Sequence, residues 1–311
     1  MKILALETTG KYGSASVIIS KNNSDISQED FVIPEFGSDL FDIYTVSSKN
    51  EMNHLQDIIN ITDSALQLAG IGKADLTHIA CSVGPGSFTG IRIGVTTART
   101  LSQFLNLPAV PVSTLLAMAE RCSRTATLSY CPLILATINA RRHQTYAGLW
   151  RTHLTKINEL DKQQLNLINN STNIDNNKYN NINNKTDNTN INCNTVNNTR
   201  LELLPVANER QYMIEEILEI AKKTGEKIYI TGDGIDAYQD IIENTLDADS
   251  FVLADEQLRY QSAESVATLA LKYAESNQTT TYDKLLPNYM RLSEAEQNLQ
   301  SGNLSSKIRK Y

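Results

Sequence analysis

Apolar and polar positions first alternate, then recur with a helical period. Ile3 to Leu6 runs into the polar stretch Glu7-Thr8-Thr9-Gly10, and from Ser14 to Ser20 Ala15, Val17 and Ile19 alternate with Ser16 and Ile18, which predicts a strand, a turn and a returning strand. From Glu51 to Ala69 the apolar positions Met52, Leu55, Ile58, Ile59, Ala65, Leu66 and Ala69, with Thr62 tolerated among them, fall on one face of a helix that Gly70 and Gly72 end. His78 to Val83 reads as a short buried strand, and Gly84-Pro85-Gly86-Ser87-Phe88-Thr89-Gly90 turns it into a helix from about Ile91 to Leu105. Ala109–Val112, Leu133–Ile138, Thr145–Trp150 and Lys227–Ile230 read as further strands, and Glu209–Thr224 and Ala263–Ser276 as helices. Strands and helices in this succession predict an α/β fold.

A chain of 311 residues is long enough for two lobes, each with its own core. The divisions expected are a first lobe over 1–108 and a second over 109–291, interrupted by an insertion over 163–200 and followed by a polar tail over 292–311. Between Asn166 and Asn198, 16 of 33 residues are asparagine, too few of the remainder are apolar to offset the entropy of ordering, and the stretch is expected to be disordered. Its charges cancel, Asp175 and Asp187 against Lys178 and Lys185.

Composition narrows the function classes. At 41% hydrophobic and 20% charged residues the chain is globular, without an apolar run of the ~20 residues that a membrane span requires. Met1 to Leu6 lacks the apolar core of a secretory signal, so a cytoplasmic protein is expected. Cys81, Cys122, Cys131 and Cys193 lie far apart with no C-x-x-C pair, against both a zinc site and a disulfide framework. A net charge of -7, relieved only weakly by Lys307, Arg309 and Lys310, disfavours gripping RNA without a basic partner.

The segment Gly84 to Gly94, GPGSFTGIRIG, lacks both the Lys-[Ser/Thr] ending of a phosphate-binding P-loop and the G-x-G-x-x-G spacing. Gly84, Gly86 and Gly90 permit a close backbone approach, and Ser87 or Thr89 can cap the helix while its first amides meet an anion; a packed turn is the alternative. Glu7, with Thr8 beside it, sits where a carboxylate could hold a magnesium-bound phosphate, or where it simply satisfies local amides. Gly94 and Ala98 permit close approach by a neighbouring helix. His54 has Ile58, not a second imidazole, four residues on, so no metal pair forms. Ser87 and Ser113 have no evident base, His143 included, and hydrolysis is not expected. Gly232-Asp233-Gly234 reads as a tight turn, with a place beside an adenine pocket as the alternative.

ILALETT, NHLQDIINITDSAL, GPGSFTGIRIGVTTARTL with LPAVPVSTL, INARRHQTY, GDGIDAY, SAESVATLALKYAE and LPNYMR occur in this order and resemble the TsaB family, also called YeaZ, related to actin, sugar kinases and chaperone ATPases. The resemblance covers about Met1 to Arg291 apart from the insertion. It implies a two-lobed, actin-like, ribonuclease-H-like fold. It also implies a non-catalytic scaffold for a TsaD-type catalytic subunit, working with a TsaE-type ATPase. That complex moves a threonylcarbamoyl group from its adenylate to the adenosine beside the anticodon of tRNAs reading codons that begin with A, and tRNA would be met only through the complex.

The catalytic paralogue carries metal-binding histidines on the helix where this chain has His54 and Ile58, so no metal is expected here. No cofactor is expected to be required, although ATP or ADP could be held weakly at an interface. In the family the first long helix and the one after the glycine loop pack against the partner. The contacts this implies are Met52, Leu55, Ile58, Ile59, Thr62 and Leu66, with Arg92, Val95, Thr96 and Arg99; the same faces would serve a homodimer when the partner is absent. Asn139 stands where the family has an aspartate in D-x-R. The competing readings are an actin-like ATPase or small-molecule kinase acting alone, and, more remotely, a peptidase.

Overall fold

The computed structural model describes residues 1–21, 41–124, 132–156 and 199–290. The bulk of the asparagine-rich insertion, the tail over 292–311 and the basic residues Lys307, Arg309 and Lys310 lie outside the described residues.

Among the described residues two five-stranded sheets share one plan. In the first, β1 (Lys2–Glu7) lies antiparallel to β2 (Ser14–Ser20) with Leu4 opposite Val17, β2 lies antiparallel to β3 (Phe41–Ser47), and on the other side of β1 come β4 (His78–Gly84) and β5 (Ala109–Ser113), both parallel. In the second, β6 (Leu133–Arg141), β7 (Gln144–Lys156) and β8 (Thr199–Met213) repeat the antiparallel run, and β9 (Ile228–Thr231) and β10 (Phe251–Leu253) repeat the parallel pair. The orders β3-β2-β1-β4-β5 and β8-β7-β6-β9-β10 therefore correspond strand for strand.

The helices fall in matching places. α1 (His54–Leu68) and α2 (Phe88–Leu105) precede and follow β4; α4 (Ile214–Lys222) and α5 (Gly234–Thr245) do the same for β9; α3 (Thr114–Ser123) follows β5, and the short α6 (Glu256–Arg259) and longer α7 (Ala263–Glu275) follow β10. β1 is apolar on both sides because both faces of its sheet are covered. Leu4 and Leu6 meet Ile58, Ile61 and Val95, whereas Ile3 and Ala5 meet Val266, Ala267 and Ala270 of α7. α3 lies between the two sheets, its Ala117 in the core of the first and its Leu115, Met118 and Cys122 in that of the second.

Five expected boundaries move. The chain over 209–213 is not helix but the end of β8, with Tyr212 opposite Thr145; pairing with β7 overrides the helical spacing of those polar residues. α1 begins at His54, because Met52 stands at φ 55° in the turn before it. α2 begins at Phe88, three positions earlier than the glycine loop suggests, because the Ser87 hydroxyl accepts from the Gly90 amide at 3.2 Å and caps it there. The division at 108 is also corrected: β5 belongs to the first sheet, and α7 returns to cover that sheet from within the expected second lobe. The insertion's expected end at 200 overlaps β8, which Thr199 opens.

One side-chain bond joins a strand of the first sheet to a strand of the second, and another fastens α7 to the first sheet. The Ser113 hydroxyl, which also caps α3, donates to Glu209 on β8 at 2.5 Å, and the Ala263 amide at the start of α7 donates to the Ser14 hydroxyl on β2 at 2.9 Å.

Candidate functional site

The β1–β2 turn, the glycine loop and the β6–β7 hairpin converge on a cleft of about 750 Å³, lined among others by Thr9, Lys11, Ser87, Asn139, Asp233 and Gln261. Of the residues expected to form an anion loop, Gly86, Ser87 and Thr89 line this cleft. Glu7, Thr8, Gly84 and Gly90 are instead buried beneath it.

Glu7 is fully buried and its oxygens are engaged by the fold. One accepts from the Thr9 amide at 2.5 Å and the Thr9 hydroxyl at 2.6 Å, and the other accepts from the Ser82 hydroxyl across the β1–β4 pair. Burial pushes its carboxyl above the ordinary range, while these bonds pull the other way. The magnesium-phosphate expectation for Glu7 is thus corrected: the carboxylate fastens a turn and does not face the cleft. Ser82 is the partner that sequence reasoning missed; a lone hydroxyl in an otherwise apolar strand is the signal that could have found it.

The glycines serve the same packing. A β-carbon on Gly86 would come within 2.5 Å of the Thr9 carbonyl, one on Gly90 would overlap the Thr8 carbonyl, and one on Gly84 would come within 2.7 Å of the Asn288 carbonyl. The Ser87 amide donates to the Thr9 carbonyl at 2.8 Å, and the Thr8 hydroxyl to the Gly90 carbonyl at 2.7 Å. The chain's own Thr8–Thr9 backbone therefore fills the space that the glycines open. Gly94 likewise faces Thr8, not another helix. Ser87 and Ser113 use their hydroxyls as helix caps.

On the second lobe, Asn139 holds the hairpin. Its side-chain oxygen accepts from the Arg141 amide at 2.7 Å and from Tyr238 at 3.0 Å, and its own amide donates to Asp233 at 2.9 Å. An amide oxygen does this as well as a carboxylate, so replacing the family's aspartate leaves the turn intact. Burial raises the carboxyl of Asp233.

The outer face of α1 and α2 divides the expected partner contacts. Ile58, Thr62, Leu66 and Val95 are 2 to 4% exposed and belong to the core of the first lobe, which corrects them as surface contacts: the helical stripe on which they fall faces the sheet. Leu55, Ile59 and Met52 are 74, 57 and 63% exposed, and Arg92, Thr96 and part of Arg99 also reach the surface. Sequence reasoning missed that the patch continues through Phe88 and Tyr289. The Arg92 guanidinium lies 3.9 Å over the Phe88 ring and donates to the Tyr289 hydroxyl at 3.0 Å.

His54, at the start of α1, donates from Nε2 to the Gly10 carbonyl at 3.0 Å, and burial lowers its pKa. With Ile58 buried one turn on, His54 has no second imidazole on α1 with which to form an i, i+4 metal pair.

Two sheets of identical order flanking a cleft define a two-lobed protein of the actin-like, ribonuclease-H-like class. The family model described as "TsaD: tRNA N6-adenosine threonylcarbamoyltransferase" matches residues 46–299. A TsaB protein of Bacillus subtilis is 25% identical over 95% of this chain and 96% of its own length. One from Buchnera aphidicola of Schizaphis graminum is 33% identical over 40% of this chain and 64% of its own length. Both are described as tRNA threonylcarbamoyladenosine biosynthesis proteins. The solved structure of YeaZ from Pseudomonas aeruginosa superposes with a TM-score of 0.58 at 17% identity, covering 93% of this chain and 99% of that one, and shows the same fold. The chain belongs to the threonylcarbamoyladenosine protein family that this model describes, and within it to the TsaB, or YeaZ, group.

Proposed function

We propose that this chain is a non-catalytic scaffold subunit of the machinery that attaches threonylcarbamoyl groups to tRNA, and that its outer α1–α2 face docks a TsaD-type catalytic subunit. The observation that carries this is the exposed pair Leu55 and Ile59, large apolar side chains on a helix whose inner stripe is already committed to the core. Exposed apolar area of this kind is stabilised by burial against a partner. The non-catalytic part is supported by Ile58 occupying the second histidine position and by Glu7 being engaged inside the fold. A TsaE-type ATPase would join the same assembly, and a homodimer would use the same face when the partner is absent. No resident cofactor is required, and a nucleotide at an interface would bind weakly. With a net charge of -7, the chain would meet tRNA through the complex in the cytoplasm.

Size-exclusion chromatography with light scattering, on the chain mixed with its TsaD-type partner, tests the proposal. A wild-type complex that Leu55→Asp with Ile59→Asp abolishes, at unchanged melting temperature, is expected. No complex at any concentration, together with nucleotide turnover by the chain alone, would favour an ATPase or small-molecule kinase instead.

A further inference from the structure

The tip of the β6–β7 hairpin carries a conformation that its residues do not favour. Arg141 pairs with Gln144, so the loop is the two residues Arg142 and His143. Arg141, Arg142 and His143 stand at φ 64°, 56° and 60°. Positive φ at both central positions is the geometry of a type I′ turn, for which Asn-Gly is the low-strain choice. Side chains of arginine and histidine are crowded against their own backbone there.

The surroundings hold the strained turn in place. Asn139 accepts the Arg141 amide, Tyr238 donates to the Gln144 carbonyl at 2.9 Å, and the Ile214 amide donates to the His143 carbonyl at 3.1 Å. All three tip side chains are exposed. Four other arginines are matched with carboxylates, Arg124 with Glu120, Arg151 with Glu226, Arg210 with Glu216 and Arg259 with Asp236, and Arg92 and Arg121 bond to Tyr289 and the Tyr260 carbonyl. Among the described residues no carboxylate forms an ion pair with Arg141 or Arg142. An acidic chain thus presents, among the described residues, two adjacent guanidinium groups without ion pairs on a strained tip, of which Arg141 lines the cleft.

We propose that the Arg141–Arg142–His143 tip is an RNA-backbone contact, its two guanidinium groups each meeting a phosphate of the RNA that the assembled complex modifies. Guanidinium matches phosphate in a forked, two-bond geometry, and strain retained at an exposed tip is accounted for when the side chains it displays are used. The inference rests on the tRNA-modification reading above and adds to it a contact made by this chain itself.

The test uses the complex of this chain with its TsaD-type partner and an unmodified transcript of a tRNA reading codons that begin with A, with binding measured across a salt series. Arg141→Gln with Arg142→Gln is expected to weaken binding and to reduce the slope of log affinity against log salt by about 1.5, the loss of two phosphate contacts. Arg142→Asn with His143→Gly, which suits the turn, is expected to raise the melting temperature by roughly 4 °C and still weaken RNA binding. Unchanged affinity and slope in the first variant overturn the inference. So does a loss of partner assembly measured without RNA, which would reassign the tip to a protein contact. A wild-type complex that neither binds nor modifies the transcript would sink the functional reading itself, and that failure is visible before any substitution is made.

Discussion

The carbonyl oxygen of Thr8 occupies the place where the β-carbon of any other residue at position 90 would stand, and the Thr8 hydroxyl donates to the carbonyl of Gly90 itself. Gly90→Ala must push a strand-end backbone out of its socket, at a cost of about 3 kcal/mol. Gly94→Ala meets only the Thr8 side chain, whose hydroxyl can turn aside by giving up its bond to the Gly90 carbonyl, and should cost less, about 1.5 kcal/mol. Urea denaturation of the two variants decides: equal losses would mean that the loop, not the strand end, yields.

Glu7 makes stability depend on pH. Its carboxyl is held above the ordinary value of 4.5 chiefly by burial, so the folded chain binds that proton more tightly than the unfolded one does. The contribution is full below 4.5 and is lost as the pH rises from there through the higher folded value. Glu7→Gln keeps the shape and removes the titration. The stability of the wild type relative to Glu7→Gln should therefore fall as the pH rises above 4.5; a difference that is flat or grows with pH would show that the bonds from Thr9 and Ser82 outweigh burial.

Ile58 and Leu55 differ by three positions on one helix and by the environment each meets, at 2 and 74% exposure. Ile58→Asp puts a carboxylate into the core of the first lobe and should cost about 4 kcal/mol, lowering the melting temperature by roughly 10 °C. Leu55→Asp should stay within about 0.5 kcal/mol of wild type. Thermal melts of the isolated chain check both, and a stable Ile58→Asp variant would contradict the burial of that stripe.

Lys156 and Thr199 are opposite one another at the ends of β7 and β8, so the 42 residues between them can be replaced by an Asn-Gly hairpin turn. Shortening the connection should stabilise the fold by about 2 kcal/mol from loop closure and leave partner binding unchanged. Loss of partner binding in this deletion would assign the insertion a role.

Much of this fold was legible because its strands are apolar and its helices amphipathic. β1, β2, β4, β5 and α7 stand close to where alternation and helical spacing put them. α3 was not legible: Leu115, Ala117, Met118 and Cys122 point to two different sheets, so no single apolar stripe marks it. β3 and β10 are half-buried edge strands with weak patterns. In the site, spacing could name the stripe Ile58, Thr62 and Leu66 but not its direction, since a face turned to the sheet and a face turned to a partner read alike. The glycine loop was legible as a close approach. That Thr8 and Thr9 make that approach depends on the β1–β4 register, which composition does not encode.

α7 carries a consequence for how the chain is made. Ile3, Ala5 and Ile18 leave the ribosome well before Val266, Ala267 and Ala270, which cover them. Through most of synthesis one side of the amino-terminal sheet has no cover, although α1 and α2 are already available for the other. The first lobe is thus completed only when α7 emerges, and a nascent chain halted before position 263 should expose an apolar sheet face to chaperones.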